Sequence, residues 1–297
     1  MNYYNQIKNE LINNEIYKKV KDYSKNRSDL NTYYNVGKLL SEAGNSYGQG
    51  VIKEYSQKLT KELNKSYSVR NLYNMRLFYI KISNFSKMHT LCAKLSWSHI
   101  RELLNFDNNK IYYYLLISYE QNLSVRELKN KIKNREYERL SKEIKENLIQ
   151  KEENKINDFI KNPILIKNSY NYKKITEKIL KQLIIEDLDD FLIELGEGFT
   201  YIKSEYKIRL GDRYNYIDLL LYNIKYNCYV VVELKVTELK KEHIGQIKMY
   251  MNYIDKNIKS INQENTIGII IVKKENNFVM EYCSDKRIFD TIYTLNN

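Results

Sequence analysis

The sequence predicts two unlike domains: an all-α N-terminal domain over residues 1–155, helix-turn-helix-like in part, and an α/β C-terminal domain over 156–297. The second should run αβββαβ around a mixed sheet. Three observations predict this division. Apolar residues return every three or four positions up to about residue 155, and after Gly198 the period becomes two. Charge changes with it: residues 1–140 hold 24 basic and 13 acidic side chains, whereas 141–297 hold 25 and 24. Between them, the Lys-, Glu- and Asn-rich stretch 141–162 ends at Asn162-Pro163, the only proline, and a residue before proline is disfavoured in a helix. A chain of 297 residues can bury two cores.

Helix starts punctuate the N-terminal half. Ser68 precedes Val69-Arg70-Asn71-Leu72, Ser96 precedes Trp97-Ser98-His99-Ile100, and Ser124-Val125-Arg126-Glu127 fits a capping box, in which hydroxyl and carboxylate satisfy each other's backbone donors. A break is expected at Ala43–Gly48. Segments 50–64 and 69–82 suit a helix-turn-helix whose second helix would expose Arg70, Asn74 and Lys81 and bury Leu72, Leu77 and Ile80. A later helix displays Lys129, Lys131, Lys133, Arg135 and Arg139. Arg70, Asn74, Lys129 and Lys133 are the candidate nucleic-acid contacts, whereas Trp97 and His99 are expected in core or capping roles.

The charge asymmetry favours a polyanion as partner of this half. The 29 tyrosines and single proline indicate an AT-rich coding sequence, which raises Lys everywhere and so does not explain why one half is neutral. Cys92, Cys228 and Cys283 are isolated, and His89, His99 and His243 have no zinc-ligand spacing. With no apolar run near the roughly 18 residues a membrane helix needs, and charges at Lys8 and Glu10 where a signal peptide would be apolar, a cytoplasmic protein without membrane contact is expected.

In the C-terminal half a helix should run from Ile175 through Ile179 and Leu183 to about Leu192, ended by Gly196-Glu197-Gly198. Strands are expected at 199–209, 214–222 and 227–236, a helix at 242–257, and strands at 266–273 and 278–283. In the third strand Cys228, Val230, Val232 and Leu234 face one way, and Tyr229, Val231, Glu233 and Lys235 the other. Both faces are largely apolar, so this strand should be central, and a carboxylate at Glu233 is costly there without positive charge beside it.

Asp218 opens the buried run Leu219-Leu220-Leu221 in the preceding strand. In a regular hairpin it shares a face with Glu233 only if paired positions sum to an odd number. That requires an even loop such as 223–228 or 224–227. The two carboxylates would then lie about 5 Å apart at Cβ and repel, unless a divalent cation joins them. Such an oxygen-only site suits Mg²⁺ or Mn²⁺, and Lys235, on the same face, could hold or deprotonate water and stabilise charge on a phosphate. Gln246 and Tyr250, four apart on the next helix, lie beside the apolar stripe Ile244, Ile247, Met251 and Ile254.

Asp218, Glu233-Leu234-Lys235 and Gln246-x-x-x-Tyr250 resemble the PD-(D/E)xK nuclease superfamily and the Gln-x-x-x-Tyr of its RecB-type members. More closely, the chain is similar to the YhcG-type family of bacterial proteins, an all-helical domain followed by such a nuclease domain. The similarity lies in Asn71–Tyr79, Leu95–His99, Ser124–Leu128, Gly211-Asp212-Arg213-Tyr214 leading into Ile217-Asp218-Leu219-Leu220, and Gly245-Gln246. It implies a restriction-endonuclease-like core and a Mg²⁺- or Mn²⁺-dependent nuclease acting on nucleic acid, DNA in first place. Asp218 and Glu233 would be metal ligands, Lys235 the catalytic amine and Gln246 a supporting group. Ile217 stands where the motif has proline, which removes no chemical group. The superfamily often adds a Glu from its first helix, and Glu177 and Glu194 are both candidates. A homodimer or a partner protein is compatible with the sequence. The rival expectation is a protein that keeps the nuclease fold as a scaffold for binding DNA or assembling a complex.

Overall fold

Two units, each with its own core, divide the chain in the computed structural model: Met1–Tyr137 with Lys145–Lys151, and Glu138–Ile144 with Glu152–Asn297. The structure describes residues 2–20, 25–47, 50–63, 66–92, 95–150, 160–283 and 285–296, so the boundary expected at 155/156 lies outside the described residues.

The first unit is helical: α1 (Tyr3–Val20), α2 (Lys25–Tyr47), α3 (Val51–Leu63), α4 (Val69–Ile82), α5 (Ser86–Cys92), α6 (Trp97–Leu103), α7 (Asn108–Glu120) and α8 (Val125–Lys133). Ser68 and Ser124 cap α4 and α8; Glu127 returns the bond to the Ser124 N–H at 2.7 Å. His99 caps α6 by accepting from the Ser96 N–H at 3.2 Å, and Trp97 packs against Tyr33 and Phe78.

Two expectations are corrected here. The chain does not break at Ala43; α2 runs on to Tyr47, because α4 lies against it and rewards a continuous helix. At the crossing, a Cβ on Gly37 would sit 2.0 Å from the Met75 carbonyl oxygen, so only glycine permits the approach. The buried face of α4 is also turned: Leu72, Met75, Phe78 and Ile82 are buried, Leu77 is half-buried, and Ile80 is exposed. Contact with α2 centres that face on Met75, and Lys81 is drawn in to donate to the Phe106 carbonyl at 3.0 Å.

Past the short helix α9 (Lys142–Asn147), the second unit contains β1 (Ile164–Lys167), α10 (Glu177–Glu186), α11 (Leu188–Leu195), β2 (Phe199–Leu210), β3 (Arg213–Asn223), β4 (Cys228–Leu234), α12 (Lys241–Asn257), β5 (Glu264–Val272), α13 (Asn277–Cys283) and β6 (Ile288–Asn296). The sheet order is β1-β6-β5-β4-β3-β2. β2, β3 and β4 are antiparallel neighbours, and β5, β6 and β1 continue in parallel, which makes the sheet mixed as expected. Leu180, Leu183 and Phe191 of α10 and α11 cover one face with Leu219 and Val232; Ile244, Ile247 and Met251 of α12 cover the other with Leu220 and Val231. β4 lies at the centre, and Glu233 is buried within it.

The αβββαβ order is present, with strands at both ends that sequence periodicity did not indicate, β1 and β6. The strand expected at 278–283 is instead α13. Asn276 caps it by accepting from the Val279 N–H, and Phe278 and Tyr282, four residues apart, stand exposed while Val279 and Met280 pack inward. The single helix expected to Leu192 is two, divided at Asp187, and α11 ends at Gly196, whose φ of 131° favours glycine.

Candidate active site

The hairpin of β3 and β4 turns through residues 224–227, an even loop, and its register runs from Asn223 opposite Cys228 to Leu219 opposite Val232. The next position in that register sets Asp218 against Glu233. The backbone ladder stops there, and Asp218 Oδ2 takes its place by accepting from the Leu234 N–H at 3.0 Å. A carboxylate with this backbone bond has little rotamer freedom, so the strand end fixes its aim.

Glu233 is 1% exposed. Its Oε2 accepts from Lys235 Nζ at 3.2 Å, while its buried Oε1 has no partner among the described residues. Burial first, and the neighbouring Asp218 charge second, push its carboxyl up to about 7, against the pull of Lys235. Lys235 is itself buried. Burial draws its ammonium down, but Glu233, Glu177 and Asp218 outweigh that and leave it above the usual lysine value.

Asp218 Oδ1 meets Lys181 of α10 at 3.2 Å, and Lys181 also pairs with Glu205 of β2. Glu205 has a φ of 50°, and the facing strand changes sides at its level: Ile217 packs into the α12-side core, whereas Leu219, two residues on, packs into the opposite one. Strict alternation would put both in the same layer. Alternation is therefore broken beside Asp218, at the level of the left-handed Glu205. Gln246 is half-buried and donates to the Tyr250 hydroxyl at 3.1 Å. Burial raises the Tyr250 phenol, which also senses Glu233, Lys235 and Asp218.

The structure thus gathers Asp218, Glu233 and Lys235 at one strand end, with Gln246 bonded to Tyr250 beside them. Sequence reasoning missed Lys181 and Glu205. Lys181 lies one turn after Glu177, a spacing that carries little signal in so lysine-rich a chain. Of the two helix glutamates, Glu194 is taken up by Arg139, Lys161 and the Leu165 N–H. Glu177, exposed in the first turn of α10, exerts its charge on Lys235 and His243.

In the helical unit, Arg70 and Lys133 are exposed, Asn74 is half-buried, and exposed Lys129 lies 3.2 Å from Glu102. The expected cationic row loses two members. Lys131 is buried against Glu136 at 3.3 Å, and Arg139, buried in the other unit, holds Glu194, because each has an acidic partner within its own core.

The donor set is one that a small hard cation takes: two carboxylates, one with a buried oxygen that no donor among the described residues satisfies. Among the described residues no group of three or more His, Cys, Asp or Glu gathers.

Comparison with known proteins gives matches to both halves of the chain. Residues 157–295 match the family described as YhcG PDDEXK nuclease domain, and residues 9–139 match the DUF1016 N-terminal domain. The curated Escherichia coli (strain K12) protein "Putative nuclease YhcG" is 26% identical over 282 residues, covering 81% of this chain and 75% of that one. Among solved structures, a repair endonuclease from Pyrococcus abyssi is 20% identical over 41% of this chain, and an EndoMS–dsDNA2 complex is 18% identical over 44%. Both have a TM-score of 0.29, and the match spans 48% of each of those chains. No helix among the described residues is long and apolar enough to cross a membrane.

Proposed function

Because the chain belongs to the YhcG-type family, with a DUF1016 N-terminal domain ahead of a nuclease domain of PDDEXK type, we propose that it is a metal-dependent nuclease hydrolysing phosphodiester bonds in DNA. The observation that carries the reading is the meeting of Asp218, Glu233 and Lys235 at one strand end, with the buried Glu233 Oε1 left without a donor.

In this reading Asp218 and Glu233 hold Mg²⁺ or Mn²⁺. What such a cation supplies when bound is Lewis acidity toward a phosphate oxygen and toward water. Asp218 is locked by the Leu234 N–H, so it presents its carboxylate with little reorganisation. Lys235, as an ammonium on Glu233, orients the attacking water and stabilises charge that develops on the phosphate. Gln246 holds a polar position at the edge of the site through Tyr250. The basic helical domain grips nucleic acid through Arg70 and Asn74, in a helix-turn-helix of α3 and α4, and through Lys129 and Lys133 of α8. The protein works in the cytoplasm, alone, as a homodimer or with a partner protein.

The test is a panel of single- and double-stranded DNA and RNA incubated with Mg²⁺, Mn²⁺ or EDTA. Wild type is expected to cut DNA only with metal, and Asp218→Ala and Lys235→Ala to lose that cutting. Equal activity in all three proteins, or activity unaffected by EDTA, would refute the assignment. Binding of DNA with a steep salt dependence, but neither Mn²⁺ binding nor cleavage, would favour the scaffold reading instead.

A further inference from the structure

The pairing of β3 with β4 begins at Leu219, so Arg213–Ile217 have no β4 neighbour, and with Tyr206–Leu210 they form a two-stranded arm that starts at Asp218. Its two faces differ. Ile208 and Ile217 are buried in the α12-side core, with Tyr206 and Leu210 packed against them. This anchors an arm that two strands alone would not hold. The other face carries Lys207 opposite Tyr216 and Arg209 opposite Tyr214, all four exposed. Tyr214 is 55% exposed and Tyr216 49%, large aromatic surfaces to leave in water.

The cations on this face are lightly engaged. Lys207 Nζ lies 3.8 Å from the centre of the Tyr214 ring. Arg209 donates to the Gly211 carbonyl at 3.0 Å and lies 3.6 Å from Asp212, an exposed pair of little worth. At strand rise, Tyr216 and Tyr214 stand about 7 Å and about 13 Å along the chain from Asp218. Two aromatic rings on one strand beside two cations on the next, leading away from a candidate phosphodiester-cutting carboxylate, match a nucleic-acid strand whose bases stack while its phosphates are neutralised. Stacking of this kind needs base faces that are free, which a closed duplex offers only at its ends.

We infer that the β2–β3 arm is a binding platform for single-stranded nucleic acid, with Tyr214 and Tyr216 stacking bases and Lys207 and Arg209 meeting phosphates. It delivers an unpaired strand to Asp218, and it rests on the nuclease reading only for what happens next.

The test uses the full chain in EDTA, so that nothing is cut. Binding of a fluorescein-labelled oligothymidylate, its ribonucleotide counterpart and a blunt duplex is followed by anisotropy. Tyr214→Ala/Tyr216→Ala should weaken single-strand binding by roughly tenfold or more, and Tyr214→Phe/Tyr216→Phe should restore it, since stacking needs the ring. Lys207→Ala/Arg209→Ala should reduce the slope of log K against log salt by about 1.4. In wild type, a 5-iododeoxyuridine oligomer should photocrosslink to Tyr214 or Tyr216, a readout independent of any variant's folding. Crosslinks confined to residues 1–140, or a duplex bound more tightly and indifferent to both tyrosines, would overturn the platform. Crosslinking to the arm in a protein that cuts nothing would leave the platform standing and overturn the nuclease reading; cleavage without arm crosslinks would do the reverse.

Discussion

Two glutamates in the C-terminal unit, one half-buried and one buried, have opposite surroundings. Glu194 is surrounded: Arg139 and Lys161 pair with it, and the Leu165 N–H donates to it. Burial alone would raise its carboxyl, but these cations and the N–H hold it below the usual range. Glu233 is shielded from water more deeply still, yet it has one ammonium, a neighbouring carboxylate and an oxygen with no donor among the described residues. A satisfied buried ion cluster ties chain segments together, here the 138–144 stretch, the start of β1 and the end of α11. An unsatisfied one has a standing electrostatic cost that the fold alone does not offset, and it marks where something from outside completes the set.

The contrast breaks most sharply on activity. Asp218→Ala is expected to lower kcat by roughly a hundredfold to a thousandfold, whereas Glu194→Gln should leave the kcat of the folded fraction unchanged, as read by single-turnover cleavage. Similar losses in both would show that the two clusters are not functionally distinct.

Stability should reverse the order. Glu194→Gln leaves two buried cations short of a counter-charge and should cost about 3 kcal/mol or more in urea unfolding. Glu233→Gln should cost nothing at pH 8 or raise stability, because it removes a carboxylate that is unfavourable there.

A pH series sharpens this. Folded Glu233 keeps a proton up to about pH 7, while in the unfolded chain it releases it near the ordinary 4.5. The folded state therefore binds more protons between those values, and stability should fall as pH rises through that window, by up to about 3 kcal/mol. In Glu233→Gln this fall should vanish from metal-free unfolding curves; its persistence would assign the titration elsewhere.

The smallest expected effect concerns Lys181, which lies on Asp218 where a cation would go. Lys181→Met should tighten Mn²⁺ binding about threefold, a shift of the size a partly exposed ion pair supplies, measured by titration calorimetry. Weaker binding would make Lys181 a support for the metal site rather than its competitor.

Much of this was legible because it depends on local pattern. The Ser124 capping box, the break at Gly196 and the central apolar strand each follow from neighbours a few residues apart, and parity tied a shared face for Asp218 and Glu233 to an even β3–β4 loop. The misses have a common cause. FVMEYC in α13 is as apolar as a strand, and only Asn276 and the α12-side core make it a helix. Ala43–Gly48 contains turn residues, but close packing at Gly37 carries α2 on to Tyr47. The cationic residues of 129–139 look equivalent in sequence, and only Glu136 and Glu194, one of them 55 residues away from its partner Arg139, set Lys131 and Arg139 apart from the exposed ones.

The sequence by itself determined which groups exist and their order: a carboxylate on one strand, a carboxylate and an amine two residues apart on the next, and a basic helical half before them. Tertiary structure decided which charges are satisfied. It set Glu194 among cations and Glu233 beside Asp218, chose Glu177 over Glu194 as the helix glutamate near Lys235, and placed Lys181 on Asp218. The physical reason is that strand alternation and capping act over a few residues. Burial and counter-charge depend on distances through space, and here those are set by elements far apart in the chain.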